Sequence, residues 1–192
     1  MKNKLKSRKW VRLFCNHSAQ LFLILLFLQG LSLTQENQNV QQDRDSLIVA
    51  AREIMDKARY CALITVDEAG YPQARTMDPF APDKDMVVWL GTNKNSRKVK
   101  EIKNNPRATL YYLAPDGSGY VVIKGKASLV NSENEKEKYW KEGWDQYYED
   151  NRENYLLIKI EPEKLEIVSY RHNIIGDTKT WKVPCVDFRS VE

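Results

Sequence analysis

The sequence predicts a small antiparallel β-barrel with few helices. Three observations carry this. Short runs rich in β-branched and aromatic residues recur at hairpin spacing, about seven of them. Gly, Pro or Asp marks each boundary between them. The few helical stretches do not alternate regularly with the strands, as a doubly wound parallel sheet would require.

In chain order, residues 45–192 form the folded domain. Asp43 to Tyr60 opens with a helical pattern, with apolar residues at Leu47, Ala50, Ala51, Ile54, Met55 and Ala58. Acids precede that stripe, and Lys57 and Arg59 close it. The strand-like runs are Cys61–Val66, Gln73–Phe80, Met86–Leu90, Arg107–Leu113 and Tyr120–Val130. Two more follow, Tyr155–Ile160 and Leu165–Tyr170, joined by Glu-Pro-Glu-Lys. A basic helix over Ser96–Asn104 is capped by Asn95 and stopped by Pro106. Ser132–Tyr148 reads as a polar helix with Tyr139, Trp140, Trp144 and Tyr147 near helical spacing, broken or kinked at Gly143.

The first 32 residues have another character. They hold Lys2, Lys4, Lys6, Arg8, Lys9 and Arg12 and no acid, then the apolar run Leu21–Leu28. That order is a signal peptide, or an N-terminal anchor if the segment stays. Residues 33–44, rich in Gln and Asn, read as a linker. Export to a periplasmic location, or membrane association through the N-terminal segment, is the expectation. A start downstream of the leader makes the protein cytoplasmic.

Removing the leader changes the charge. The whole chain carries 30 basic and 26 acidic residues. Six of the basic ones leave with the leader, so the remainder is slightly acidic. A nucleic-acid partner, which needs a basic excess over one face, is therefore not expected. Cys61 and Cys185 are far apart, without metal spacing, and Cys61 reads as a small buried apolar residue. No metal site is expected. Beyond the leader His172 stands alone, which reads as a surface or packing residue rather than a catalytic one. No catalytic residue can be named.

One stretch carries chemistry, Trp89-Leu-Gly-Thr-Asn-Lys-Asn-Ser-Arg-Lys98. A strand ends at Gly91 and a helix begins a few residues later. Thr92 and Ser96 offer hydroxyls, Arg97 a planar fork of donors and Lys98 a compact charge. Unpaired N–H groups of a first helical turn add to these, an arrangement suited to one phosphate. A capped, solvated basic helix is the alternative. Arg75, in Gln73-Ala-Arg-Thr-Met77, sits mid-strand in a half-buried run with no carboxylate on its own strand face. It needs an anion, either across the strands or as the second arm of a phosphate clamp.

Gln-Ala-Arg75-Thr-Met, Gly-Thr-Asn-Lys-Asn-Ser96-Arg-Lys, Asn-Asn-Pro-Arg107-Ala-Thr-Leu and Val-Ile-Lys-Gly-Lys-Ala127 occur in that order. Together they resemble the pyridoxamine 5′-phosphate oxidase-related FMN-binding split barrels, above all the general stress protein branch. The resemblance covers about residues 45–188. It implies an antiparallel split β-barrel, a homodimer and FMN at the subunit interface. It also implies that Arg75, Ser96, Arg97 and Lys98 hold the phosphate and that Gly91 and Thr92 line the cofactor. Thr76 and Met77 would offer backbone groups to the flavin ring, and Trp181 would meet it from the partner subunit. A flavin-dependent oxidoreductase of unknown substrate follows. The alternatives are a non-catalytic, stress-related flavin-binding protein, or a relative that binds haem or a deazaflavin. The full oxidases carry a Lys near the position of Phe80, an Arg/Ser substrate motif and a C-terminal Arg-x-His. This chain lacks them, so pyridoxamine 5′-phosphate is not the expected substrate.

Overall fold

A single 15-residue strand near the C-terminal end organises the sheet. The computed structural model describes residues 43–148 and 152–189. The leader and all but the last two linker residues lie outside this range. The chain divides into two units, Met1–Asp45 and Ser46–Glu192, and the second is the one described below.

Helix α1 occupies 43–58, so the segment read as linker already turns helical at its end. Then come β1 (Cys61–Val66), β2 (Pro72–Met77), β3 (Val88–Asn93), α2 (Arg97–Asn104), β4 (Arg107–Leu113) and β5 (Gly119–Val130). Helix α3 (Glu133–Lys138), a short 3₁₀ turn (Trp144–Tyr147), β6 (Tyr155–Ser169) and β7 (Cys185–Asp187) complete the chain. The antiparallel sheet runs β2-β1-β4-β5-β6-β3, with β7 also on β6. A lone bridge between Pro79 and Leu90 brings the end of β2 back to β3. The sheet thus curls toward closure, the mostly-β barrel that the strand spacing predicts. Leu63, Leu90, Leu110, Ile123, Leu165 and Ile167 fill it, with Leu47, Ala51 and Ile54 of α1 packed against them.

Four local readings differ. First, β3 does not stop at Gly91; it continues to Asn93, paired along Gly91↔Leu157, Thr92↔Leu156 and Asn93↔Tyr155. The glycine serves packing, since a Cβ there would lie 2.4 Å from the Trp144 ring. Second, Glu-Pro-Glu-Lys is not a connector, because β6 runs straight through it. The ladder shifts register between Lys124 and Gly125, opposite Pro162. The bare backbone of Gly125 admits the Glu161 carbonyl, 2.1 Å from where a Cβ would stand. Third, the helix expected over 132–148 shrinks to α3 and the 3₁₀ turn. Gly143 takes φ +83 between them; Trp140 and Trp144 leave helical spacing to pack on Tyr155, and Tyr147 stays exposed. Fourth, β2 ends at Met77, because Asp78-Pro79 breaks the ladder.

Candidate functional site

The stretch 91–98 folds into a strand end, a tight turn and the start of α2. Ser96, not Asn95, is the N-cap, and no side chain caps the first turn. The Asn95 amide instead reaches Asn154 at 3.3 Å. No acid occupies that turn, so its N–H groups and the positive end of the helix face outward. The Ser96 hydroxyl lies 3.0 Å from that of Thr92. Lys98 Nζ donates to the same Thr92 Oγ1 at 3.2 Å. Among the described residues Lys98 pairs with no carboxylate. Burial holds its pKa below the ordinary lysine value, and the nearby Arg75 and Arg97 charges push the same way against Glu101.

A cleft of about 280 Å³ opens beside this group. Thr76, Met77, Gly91, Thr92 and Lys98 all line it, with Asp78, Trp144 and Tyr147. Of the expected phosphate residues, Arg75, Ser96 and Arg97 do not line the cleft; Ser96 stands next to it through Thr92, and the two arginines meet behind it. Arg75 donates to Glu101 Oε2 at 2.6 Å and to Thr65 Oγ1 at 2.5 Å. Arg97 Nε lies 2.9 Å from Glu101 Oε1. Thr65 donates to Glu101 as well. Glu101 is only 3% exposed and Thr65 is fully buried. Burial alone would raise the Glu101 pKa. The Thr65 and Arg75 hydrogen bonds and the two guanidinium charges outweigh it and hold the group below the usual value.

The anion that Arg75 needs is thus supplied by α2. It comes from a helix, not from a neighbouring strand as a cross-strand pair would have it. Its one signal is an acid set between buried Val99 and Ile102 on α2. Trp181 is not brought to the cleft within one chain; it stands 84% exposed on a turn at positive φ.

The aromatic wall was also only partly foreseen. Trp140 and Trp144 pack edge-on against Tyr155, at 5.0 and 5.9 Å between ring centroids. Tyr155 in turn donates to the Tyr139 carbonyl. This fixes Trp144 over Gly91, and so fixes one side of the cleft.

The described residues include no group of His, Cys, Asp and Glu able to hold a metal ion. His172 joins Ser169 Oγ at 2.8 Å and Glu53 Oε2 at 2.8 Å. Ser169 is 1% exposed, and the trio ties α1 to the end of β6. Cys61 is buried and Cys185 exposed, both as free thiols. Burial pushes the Cys61 thiol up to about 12.

Residues 47–169 match the profile of the family described as pyridoxamine 5′-phosphate oxidase. This chain belongs to that family. General stress protein 26 of Bacillus subtilis is 28% identical over 121 residues, which span 61% of this chain and 84% of that protein. Among solved structures, a protein related to general stress protein 26 from Clostridium acetobutylicum superposes with a TM-score of 0.61 at 19% identity. It covers 74% of this chain and 94% of its own. At such identity the likeness shows the fold, the split barrel of this family. A pyridoxamine 5′-phosphate oxidase-related protein from Nostoc punctiforme is described as FMN binding (TM-score 0.50, 15% identity, 73% and 92% covered). A protein from Mycobacterium smegmatis that superposes on this chain is described as heme binding (TM-score 0.53, 15% identity, 71% and 56% covered).

Proposed function

We propose that the cleft between β2, β3 and α2 binds FMN and that the protein is a flavin-dependent oxidoreductase. The observation that carries this is Lys98. It is a half-buried cation with no carboxylate partner among the described residues, set beside two hydroxyls at an uncapped helix start. These groups fit a phosphate: a charge, hydroxyl donors and free backbone N–H groups converge on one point. Arg75 and Arg97 add positive potential from behind, shared with Glu101. FMN, when bound, supplies hydride acceptance and return at its ring. The chain supplies position: Trp144 and Tyr147 wall the cleft, and Thr76 and Met77 edge it.

A homodimer belongs to the same reading, with the exposed Trp181 of one copy reaching the cleft of another. So does an exported protein that takes up its cofactor after residues 1–32 are removed. We do not extend the proposal to pyridoxamine 5′-phosphate, since Phe80 stands near the position of the oxidases' lysine.

The test is an absorption spectrum of the purified protein with and without added FMN and riboflavin. Flavin bands shifted by binding, and an FMN affinity about 100-fold above that of riboflavin, are expected from several charge-assisted contacts. A protein that leaves the FMN spectrum unchanged would refute the reading. Oxidation of a nicotinamide donor under air separates an enzyme from a flavin carrier. Static light scattering checks the dimer.

A further inference from the structure

A second cleft, of about 520 Å³, lies between α1 and the segment that follows β2. It touches the first one, because Asp78 lines both. Lys141 marks the shared wall. Its ammonium sits 2.6 Å from Asp78 Oδ1 and 2.8 Å from the Pro79 carbonyl. It also lies 4.8 Å above the Phe80 ring and 5.7 Å from that of Trp144.

Three features of the second cleft point to an occupant. Its floor contains Tyr112, a residue 1% exposed whose hydroxyl has no hydrogen-bond partner. The Cys61 thiol lies close enough to influence it, and a thiol is a weak hydrogen-bond partner. A buried hydroxyl left unpaired is costly, and a ligand atom or a water that reaches it removes the cost. Second, the charges do not cancel. Arg52, Arg59 and Lys141 face Asp56 and Asp78. Asp78 neutralises Lys141, which leaves two guanidiniums against Asp56. Arg52 is committed to the Pro82 and Asp83 carbonyls. Arg59 is exposed, stacks on the Tyr60 ring at 5.0 Å and forms no ion pair among the described residues. It follows the last turn of α1 with φ +58, a conformation that ends the helix there. Third, the same lining includes Met55, Pro79, Phe80 and Ala81, an apolar surface for the body of a small molecule.

We propose that this second cleft binds a small organic carboxylic acid. Its carboxylate pairs with Arg59 in the field of Arg52, its body lies on Met55 and Phe80, and a polar substituent meets the Tyr112 hydroxyl. The role of such an acid as substrate rests on the flavin reading, since the shared Asp78 wall sets it beside the cofactor cleft. Its binding does not rest on that reading.

The test therefore uses the protein freed of flavin, with benzoate, benzamide and 4-hydroxybenzoate as probes in calorimetry and ligand-observed NMR. Benzoate is expected to bind about tenfold more tightly than neutral benzamide, as one charge-assisted contact implies. Arg59→Gln, at an exposed position, should remove that preference. Tyr112→Phe keeps the ring in the core and should abolish any advantage of 4-hydroxybenzoate over benzoate. Absence of benzoate binding, equal affinity for benzoate and benzamide, or an unchanged preference in Arg59→Gln would each overturn the proposal. FMN titrations of the same samples read the first cleft separately, so failure at one cleft is distinguishable from failure at the other.

Discussion

Arg75 in the middle of β2 and Glu101 on the inner face of α2 form an ion pair at 2.6 Å, closed by the Thr65 hydroxyl. The pair joins the sheet to the helix whose first turn edges the cleft. It gives Arg75 a structural duty beside any part in holding a phosphate.

Replacing Arg75 by Ala should therefore lower stability as well as FMN affinity. Removing one partner leaves a buried carboxylate short of its charge, a loss of about 3 kcal/mol. Urea unfolding measures it. Arg97→Ala should be milder, because that side chain is 70% exposed. A stable Arg75→Ala protein that merely binds FMN less well would show that Glu101 is satisfied by Arg97 and Thr65 alone.

The Glu101 carboxyl, held below the usual 4.5, makes a pH prediction. Its folded pKa lies under its unfolded one. Its contribution is thus full above the ordinary glutamate value and disappears as the pH falls through the folded value. The stability difference between the wild type and Glu101→Gln should shrink as the pH drops below about 4.5. Urea midpoints at a series of acidic pH values give the answer, and a constant difference would contradict it.

Gly91→Ala should damage the cleft and spare the barrel. The new methyl would stand 2.4 Å from one Trp144 ring carbon and 2.9 Å from the Tyr155 ring. Trp144 must move, at a cost of about 1–3 kcal/mol. FMN affinity should fall about tenfold or more, with far-UV circular dichroism unchanged. Trp144→Ala in the same background should remove that clash without restoring the binding.

Lys98 should impose an alkaline limit on FMN binding. Its lowered pKa means that the ammonium loses its proton earlier than an ordinary lysine as the pH rises. Affinity should decline on the alkaline side, and Lys98→Met should bind about tenfold more weakly with that decline flattened. Fluorescence titration of FMN across alkaline pH tests it; a decline unchanged in the variant would assign it elsewhere.

The two thiols of the folded unit should differ in reactivity. Cys61 is buried, with its thiol pushed up to about 12, whereas Cys185 is exposed. Iodoacetamide at mildly alkaline pH should label Cys185 and leave Cys61 until the protein is unfolded. Peptide mass spectrometry of the alkylated protein reads both sites.

The strands were legible in the sequence where the pattern was local. Cys61–Val66 and Arg107–Leu113 alternate cleanly between turn residues, and the fold keeps both boundaries. The stripe of α1 was legible for the same reason, because Leu47, Ala51 and Ile54 repeat at helical spacing and bury one face. The departures occur where a distant residue decides. Gly91 and Pro162 look like breaks until Trp144 and Gly125 are placed beside them. The cleft was half legible: Gly91, Thr92, Ser96 and Lys98 announce themselves by spacing. Glu101, Asp78 and Trp144 are invisible as partners, because their meaning depends on pairs 26 or more positions apart. β7 gave no signal, since three residues carry no period.

The pairing of β3 with β6 also sets a timetable. Val88 to Asn93 find their partners in residues 155–160, more than sixty positions later. A chain emerging from the ribosome can form the β1–β2 hairpin early and add β4 and β5 to it. It cannot fasten the Gly91 wall until its last third is available. Until then the basic turn at 94–98 hangs from an unpaired edge, and the protein gains its cleft beside Lys98 only as one of the last acts of folding.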